Sequence, residues 1–479
     1  MLATRRAVMG SAAGLAFAGF ARLANAKDEP AILTHEQMEA DGYRSEVAGY
    51  GPLKRDPAGL FDLPDGFAYT VISRAGETMS DGLVTPGKMD GMGCFAAGPD
   101  RVVLVRNHEI GGLDLDITAY GQGKAMAGRM AADRIYDLTD DGLPHGGGTT
   151  TMVYDLKSRQ LVSSHLSLTG TINNCAGGRT PWGSWLSCEE TTQNRGQEAQ
   201  KDHGWVFEVP SAAKGPVDPT PIRAMGRFRH EAATVDPRTG VAYLTEDMSD
   251  GFGLFYRYLP DDRSKLAAGG RLQALVLPQG ADADPRNRDA TYWRQGDWRN
   301  VRWIDLDGVD NPYEDLRYRG HARGAAWFSR GEGIYFGDGE LYFACTSGGP
   351  QGGGQIFRYR PSPAEGQSGE ADTPGRLQLF CEPTDRQAME MPDNIAVAPW
   401  GHLMACEDKA GGVNYLRAVT PKGQVYTLGR NATPGGGDVA SNSELAGVCF
   451  SPDGTTMFVN VYSPGMTLAI TGPWSRYRG

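Results

Sequence analysis

The stretch GRFRHEAATVDPRTGVAYLTEDMSDGFGLFYRYLP, residues 226–260, reads as a β-hairpin with a third strand behind it. A polar pair, His230-Glu231, precedes the apolar run Ala232 to Val235; Asp236-Pro237-Arg238-Thr239-Gly240 supplies a turn, and Val241 to Thr245 forms the return strand. That strand ends on Glu246 and Asp247. Antiparallel pairing places the start of the first strand beside the end of the second, so His230, Glu231, Glu246 and Asp247 should share one end of the sheet.

The pattern returns along the chain. Asp90 opens DGMGCFAAGPDRVVLVRNHE and Glu109 closes it; Asn173-Asn174 open NNCAGGRTPWGSWLSCEE, which Glu189-Glu190 close. Asp393-Asn394 open DNIAVAPWGHLMACED, closed by Glu407-Asp408, and Glu444 opens ELAGVCFSPDGTTMFVNVYS. A looser copy between Gly324 and Thr346 carries Glu332. Further strands follow several hairpins, at Thr151 to Leu156, Trp205 to Val209, Gly253 to Tyr258, Gln355 to Tyr359 and Gln424 to Leu428. Copies about 50 residues apart have the spacing of propeller blades. The expected fold is therefore all-β, a six-bladed β-propeller with loop and helical insertions.

Blades around one axis bring equivalent strand ends to one mouth of the channel. Acids there would form a ring of oxygen ligands. Carboxylates about 4 Å apart repel by about 4 kcal/mol per pair at an effective dielectric near 20, so such a ring stays charged only with cations in it. Oxygen ligands favour calcium, magnesium, manganese or ferric iron. One thiolate, at Cys188 before Glu189, would tilt one position towards a transition metal. The eight histidines are scattered along the chain, so a histidine-rich zinc site is not expected.

Composition fits a single large β domain: 479 residues contain 66 glycines and 29 prolines, with 40% hydrophobic residues. A net charge of −11 argues against a nucleic-acid surface and is compatible with cation binding. Residues 1–26 read as a twin-arginine signal peptide, with Arg5-Arg6 ahead of the apolar segment Ala12 to Phe20 and a small-residue cleavage site at Ala24-Asn25-Ala26. No later run is long enough to span a bilayer. The mature protein is expected to be periplasmic or secreted, without stable membrane insertion. Residues 27–60 form a polar lead-in and 61–479 the propeller, with insertions expected near 110–137, where Ala125 to Tyr136 has helical composition, and near 261–320. Seven cysteines, an odd number, leave at least one thiol unpaired within the chain.

LVRNHE (104–109), TPWGSWLSCEE (180–190), GRFRHEAA (226–233), YLTED (243–247), GLFYRYLP (253–260) and FSPDGTTMFVNVYSPGMTLAITGPW (450–474) together resemble the PhoX-type alkaline phosphatase family. The resemblance implies twin-arginine export, a six-bladed propeller with calcium and iron at its mouth, and hydrolysis of small phosphomonoesters. Carried over by position, it makes Cys188 an iron thiolate. Glu189, Glu231, Glu246 and Asp247 become metal carboxylates, and Glu109 a calcium-side ligand. Asp393, Glu407, Asp408 and Glu444 are further candidates from the remaining hairpins. Arg323 and Arg330, flanking the fourth hairpin, are candidate phosphate clamps. Two other readings stay open at the sequence level: a calcium-dependent lactonase-like hydrolase, and a non-catalytic binding propeller stabilised by calcium.

Overall fold

The computed structural model describes residues 43–112, 117–409, 411–436, 439–440 and 443–477; the expected signal peptide and the first part of the lead-in, residues 27–42, lie outside them. Among the described residues six antiparallel sheets form the blades, and Pro434–Gly436 pairs with Val439–Ala440 in a separate two-stranded sheet. Blade 1 is built from Met89–Ala96, Arg101–His108, Gly147–Asp155 and Gln160–Thr171, and blade 2 from Asn174–Arg179, Ser184–Glu189 and Val206–Pro210. Blade 3 begins with His230–Val235, Ala242–Glu246 and Phe255–Pro260, blade 4 with Gly331–Gly337, Glu340–Cys345 and Gln355–Arg360. Blade 5 begins with Pro392–Val397, Leu403–Glu407 and Tyr415–Val419, and blade 6 with Leu445–Phe450, Thr456–Val461 and Met466–Thr471.

The innermost strand of each blade packs against those of its two neighbours, and blade 6 meets blade 1. An early strand, Ala68–Arg74, closes the circle by pairing with Met466–Thr471 as the outer strand of blade 6. Two short strands, Phe61–Pro64 and Leu53–Lys54, extend blade 5 from Val425–Asn431. The N-terminal segment is thus sewn into two late blades.

Alternation along each strand gives two apolar faces, one for each neighbouring blade. Apolar clusters fill the gaps between blades: Leu186, Val206, Ala233 and Leu244 between blades 2 and 3, and Met92, Leu104, Cys449 and Phe458 between blades 6 and 1. At about 1.5–3 kcal/mol for each fully buried large aliphatic or aromatic side chain, these interfaces supply the main driving force for ring closure.

The stretch 261–320 feeds the sheets it follows. Gly270–Val276 and Arg302–Asp305 become the fourth and fifth strands of blade 3, and Trp298–Asn300 joins the edge of blade 4 beside Arg376–Cys381. It ends in the helix Leu316–Ala322. The helical composition of Ala125 to Tyr136 produces only single 3-10 turns at Ala127–Arg129 and Ala132–Arg134. Gly128 weakens an already short segment, and Arg129 Nη1 and Nη2 donate to the carbonyls of Gly82 and Asp81, fixing an irregular path.

Candidate metal and phosphate site

One backbone feature recurs in the inner hairpins and builds the mouth. In blades 1 to 5 the first strand begins with a paired residue and then bulges: the register shifts between Met89 and Met92, Asn174 and Gly177, His230 and Ala233, Gly331 and Ile334, and Pro392 and Ile395. A bulge re-aims the side chain it carries. The first bulged residues are Asp90, Cys175, Glu231, Glu332 and Asp393. In blade 6 the bulge starts one residue later, after Ala446, so Ala446 stands at this level.

The next residue is small in the first four blades, and the reason is steric. A Cβ on Gly91 would lie 2.5 Å from Cα of Ala176 in blade 2, and one on Gly333 would lie 2.6 Å from the Asp393 carbonyl of blade 5. Only chains without bulk at these points let the inner strands close around the axis.

A second level is set by one backbone hydrogen bond per blade. The residue just beyond the second strand donates its N–H to a carbonyl two residues before the bulge. The bonds are Glu109 to Lys88 at 3.0 Å, Glu190 to Asn173 at 2.8 Å, Asp247 to Arg229 at 3.2 Å, Thr346 to Arg330 at 2.9 Å, Asp408 to Met391 at 3.0 Å and Tyr462 to Glu444 at 3.3 Å. Glu109, Glu190, Asp247, Thr346, Asp408 and Tyr462 are therefore equivalent by pseudosymmetry. Lys88, Asn173, Arg229, Arg330, Met391 and Glu444 are too. Four of this last set, Lys88, Asn173, Arg330 and Met391, have left-handed backbones with φ between 45° and 55°. That conformation is costly for a bulky side chain and is common at ligand sites.

Side chains from these levels merge. Asp90, Glu109 and Cys175 offer ligand atoms within 4.8 Å of one another; so do Cys175, Glu190 and Glu231; Glu231, Glu332 and Asp393; and Asp393, Asp408 and Glu444. Shared members link the groups into one set of eight carboxylates and one thiol. Cys175 Sγ donates to Glu190 Oε2 at 3.0 Å. Glu109 accepts from Tyr462 Oη at 2.6 Å and Asn173 Nδ2 at 3.1 Å. Arg330 holds Asp247 through Nε at 3.0 Å and Nη2 at 2.8 Å, and lies 2.9 Å from Glu332 Oε1. Arg229 Nε donates to Glu190 Oε1 at 3.2 Å.

Without cations this arrangement resists ionisation. Burial, then neighbouring carboxylates, push Asp90, Glu231 and Glu444 well above the usual carboxylate range. Glu332 shifts the same way from burial and Asp247, although Arg330 opposes it. Asp393 is pushed up to about 8 by burial and Asp408. Burial followed by the charge of Glu109 likewise raises the Cys175 thiol. Asp90 Oδ1 and Thr346 Oγ1 are buried without a hydrogen-bond partner. Crowded oxygens, a thiol and orphaned donor atoms fit metal ions of the hard and borderline kind.

The sequence-predicted residues separate into two groups. Glu231, Glu109, Asp393 and Glu444 stand in the merged set, and Asp247 and Arg330 beside it. Glu189, Glu246 and Glu407 turn away, because the last strand residue points opposite to its successor. Glu189 accepts from the amides of Ile172, Gly204 and Trp205 and meets His203. Glu246 binds the Leu254 amide and Tyr256 Oη at 2.9 and 2.8 Å, and burial raises it to about 7. Glu407 pairs with Arg417 Nε at 2.7 Å and the Tyr415 amide at 3.0 Å.

Cys188 lies in the apolar cluster between blades 2 and 3, fully buried, rather than with the carboxylates. Its place as the thiol is taken by Cys175. Arg323 lies away from the mouth, half exposed, donating to the Asp305 carbonyl at 2.7 Å. Hairpin reading did not single out Cys175, whose neighbours are not acidic, and named Asp90, Glu190 and Glu332 only as hairpin-end residues; Asp408, named with Glu407, joins the merged set. A usable signal was present: Asp90-Gly91, Cys175-Ala176, Glu231-Ala232 and Glu332-Gly333 all put a ligand type before a small residue at the start of an inner strand. All seven cysteines are free and buried.

Comparison with known proteins now bears on this mouth. Residues 48–465 match the family model for alkaline phosphatase PhoX. The chain belongs to that family, and is a metal-dependent phosphatase, a phosphoric monoester hydrolase. The structure of Pseudomonas fluorescens PhoX in complex with vanadate, a transition state analogue, is similar over 90% of this chain and 98% of that one, with a TM-score of 0.64 at 19% identity. It supports the six-bladed fold. A Xanthomonas campestris gluconolactonase covers 90% of this chain and 100% of its own at 12% identity, but its TM-score of 0.38 is too low to bear on activity. No curated protein sequence matches the chain. No helix among the described residues is long and apolar enough to cross a membrane.

Proposed function

We propose that the propeller mouth hydrolyses small phosphomonoesters with a multinuclear cluster of Ca2+ and Fe3+, in a protein exported folded through the twin-arginine machinery to the periplasm or beyond. The observation that carries this is the continuous set of buried and half-buried carboxylates running from Glu109 to Glu444 through the single thiol Cys175. Cys175 with Glu190 and Glu231 would hold the softer, ferric position, while Asp90, Asp393, Asp408 and Glu444 offer the all-oxygen surroundings calcium takes.

Bound there, the ions would supply Lewis acidity toward phosphoryl oxygens and offset charge developing in the transition state. The chain's own part is orientation. Arg229 and Arg330 lie at the level just before the bulge, on adjacent blades, each already committed on one side to a carboxylate. Their remaining N–H groups suit a tetrahedral anion, which guanidinium recognises through paired bonds. Vanadate bound to the Pseudomonas relative stands for such a phosphoryl group in that protein. Lys88, at the equivalent level of blade 1, adds a third cation near Glu109.

Elemental analysis of chelator-free protein, paired with p-nitrophenyl phosphate hydrolysis on the same sample, tests this. Iron with more than one calcium and turnover is expected. Calcium alone with no phosphate release would overturn it.

A further inference from the structure

Away from the mouth, two histidines and an aspartate meet in a place no sequence motif marks. The turn bracketed by the bridge between Leu138 and Pro144 brings Asp137 and His145 side by side in the long connection inside blade 1. His203 arrives from the loop between the second and third strands of blade 2. All three are buried, and both histidine side chains have no solvent exposure. Asp137 Oδ2 lies 3.1 Å from His203 Nε2 and 3.8 Å from His145 Nε2, and one atom from each residue falls within 4.8 Å of the others.

Two features set this trio apart from an ordinary buried hydrogen-bond network. First, neither ring nitrogen of His145 has a hydrogen-bond partner, although the ring is enclosed. An imidazole left dry on both sides is unfavourable, and a cation on Nε2 removes half the difficulty. Second, His203 is oriented from behind: its Nδ1 lies 2.7 Å from Glu189 Oε1. Its Nε2 donates to Asp137 Oδ2 at 3.1 Å, and a cation bound between them would take the place of that proton. A carboxylate behind a histidine is the usual outer support of a metal-bound imidazole. Asp137 is fixed as well, accepting from the amides of Gln200 and Lys201 at 2.9 Å each.

We propose that Asp137, His145 and His203 bind a divalent d-block ion of the Zn2+ class, at a site separate from the mouth cluster. Two imidazoles and one carboxylate select such an ion over calcium or magnesium. Bonds of about 2.0–2.1 Å in tetrahedral geometry put ligand atoms about 3.3 Å apart, between the two separations here. Its role is mechanical. The ion ties the long connection of blade 1 to the loop of blade 2, and through His203 it holds Glu189, whose neighbour Glu190 reaches into the mouth.

The test is metal counting with spectroscopy on the full chain loaded with Zn2+. Zinc-edge X-ray absorption of the unaltered protein should show imidazole and oxygen ligands without sulfur. His145→Gln should lose about one zinc per chain while its calcium count stays the same. Should that variant fold poorly, the absorption spectrum of the unaltered protein decides alone. Absence of imidazole-bound zinc, or an undiminished zinc count in a folded His145→Gln, would overturn the site.

Discussion

The two sides of the mouth treat their acids differently. On blades 3 and 4, and the flank of blade 2 beside them, Glu190 has Arg229, while Asp247 and Glu332 share Arg330. On blades 5, 6 and 1, acids face chiefly acids: Asp408 is the main charge acting on both Asp393 and Glu444, while Glu109 acts on Asp90. One backbone plan thus yields a side where arginines offset part of the acidic charge and a side that waits for ions from solution. The arginine side is suited to an anionic substrate beside the thiol-bearing metal position, the acid side to metals alone.

The largest effect that can break this comparison is metal removal. In the metal-free chain Asp393 is pushed up to about 8, with Asp90, Glu231 and Glu444 shifted the same way. The unfolded chain titrates its acids near pH 4. A raised folded pKa means the folded state holds more protons, so this contribution is complete below about pH 4 and is lost as pH rises through about 8. Chelated protein should therefore melt at progressively lower temperature across that window and hydrolyse no phosphate ester. Metal-loaded protein should escape the decline, because the ions stabilise the deprotonated ring. A chelated protein that becomes more stable with rising pH would mean that the acid side is solvated rather than crowded.

A smaller effect belongs to the arginine side. Arg330→Met leaves Asp247 and Glu332 buried without their cation, a change expected to cost about 3–5 kcal/mol in urea unfolding. It should also lower kcat/KM by about 10²–10³, the usual loss for one oxyanion donor. Arg229→Met should cost less stability, because the Arg229 side chain is 29% exposed against 11% for Arg330. Equal stability losses would erase the distinction between a structural clamp and a partly free one.

Much of this architecture was legible because each blade repeats a local hairpin. Polar residues before an inner strand and acids after its partner are local signals, and they located Glu231, Glu109, Asp393 and Glu444. Two things were not local. Which of two consecutive acids faces the axis depends on strand parity at its last residue, and Glu189-Glu190, Glu246-Asp247 and Glu407-Asp408 look alike in sequence. In each pair the first acid serves its own blade and the second turns to the mouth. Contacts distant along the chain were invisible too: Ala68–Arg74 reads as a strand, but its pairing with Met466–Thr471 is a property of closure. His203 reaches Asp137 across four intervening strands of the chain.

Parity also gives the finest test, at the two cysteines of blade 2. Cys188 is packed among Leu186, Val206 and Ala233. Cys188→Ser would bury a hydroxyl there, costing about 1–3 kcal/mol while iron content and turnover persist. Cys175→Ser replaces the one thiol that touches Glu190 and the carboxylate set. Iron and any visible absorbance should fall in that variant, with the fold kept. Arg323→Ala supplies the scale for no effect, since its guanidinium is half exposed and bonds only on the outer edge of blade 3; stability should stay within about 0.5 kcal/mol and kcat/KM should not move. If Cys188→Ser rather than Cys175→Ser loses the iron, the inner strand of blade 2 is shifted from the register described, and the bulge that aims Cys175 at the axis is misplaced.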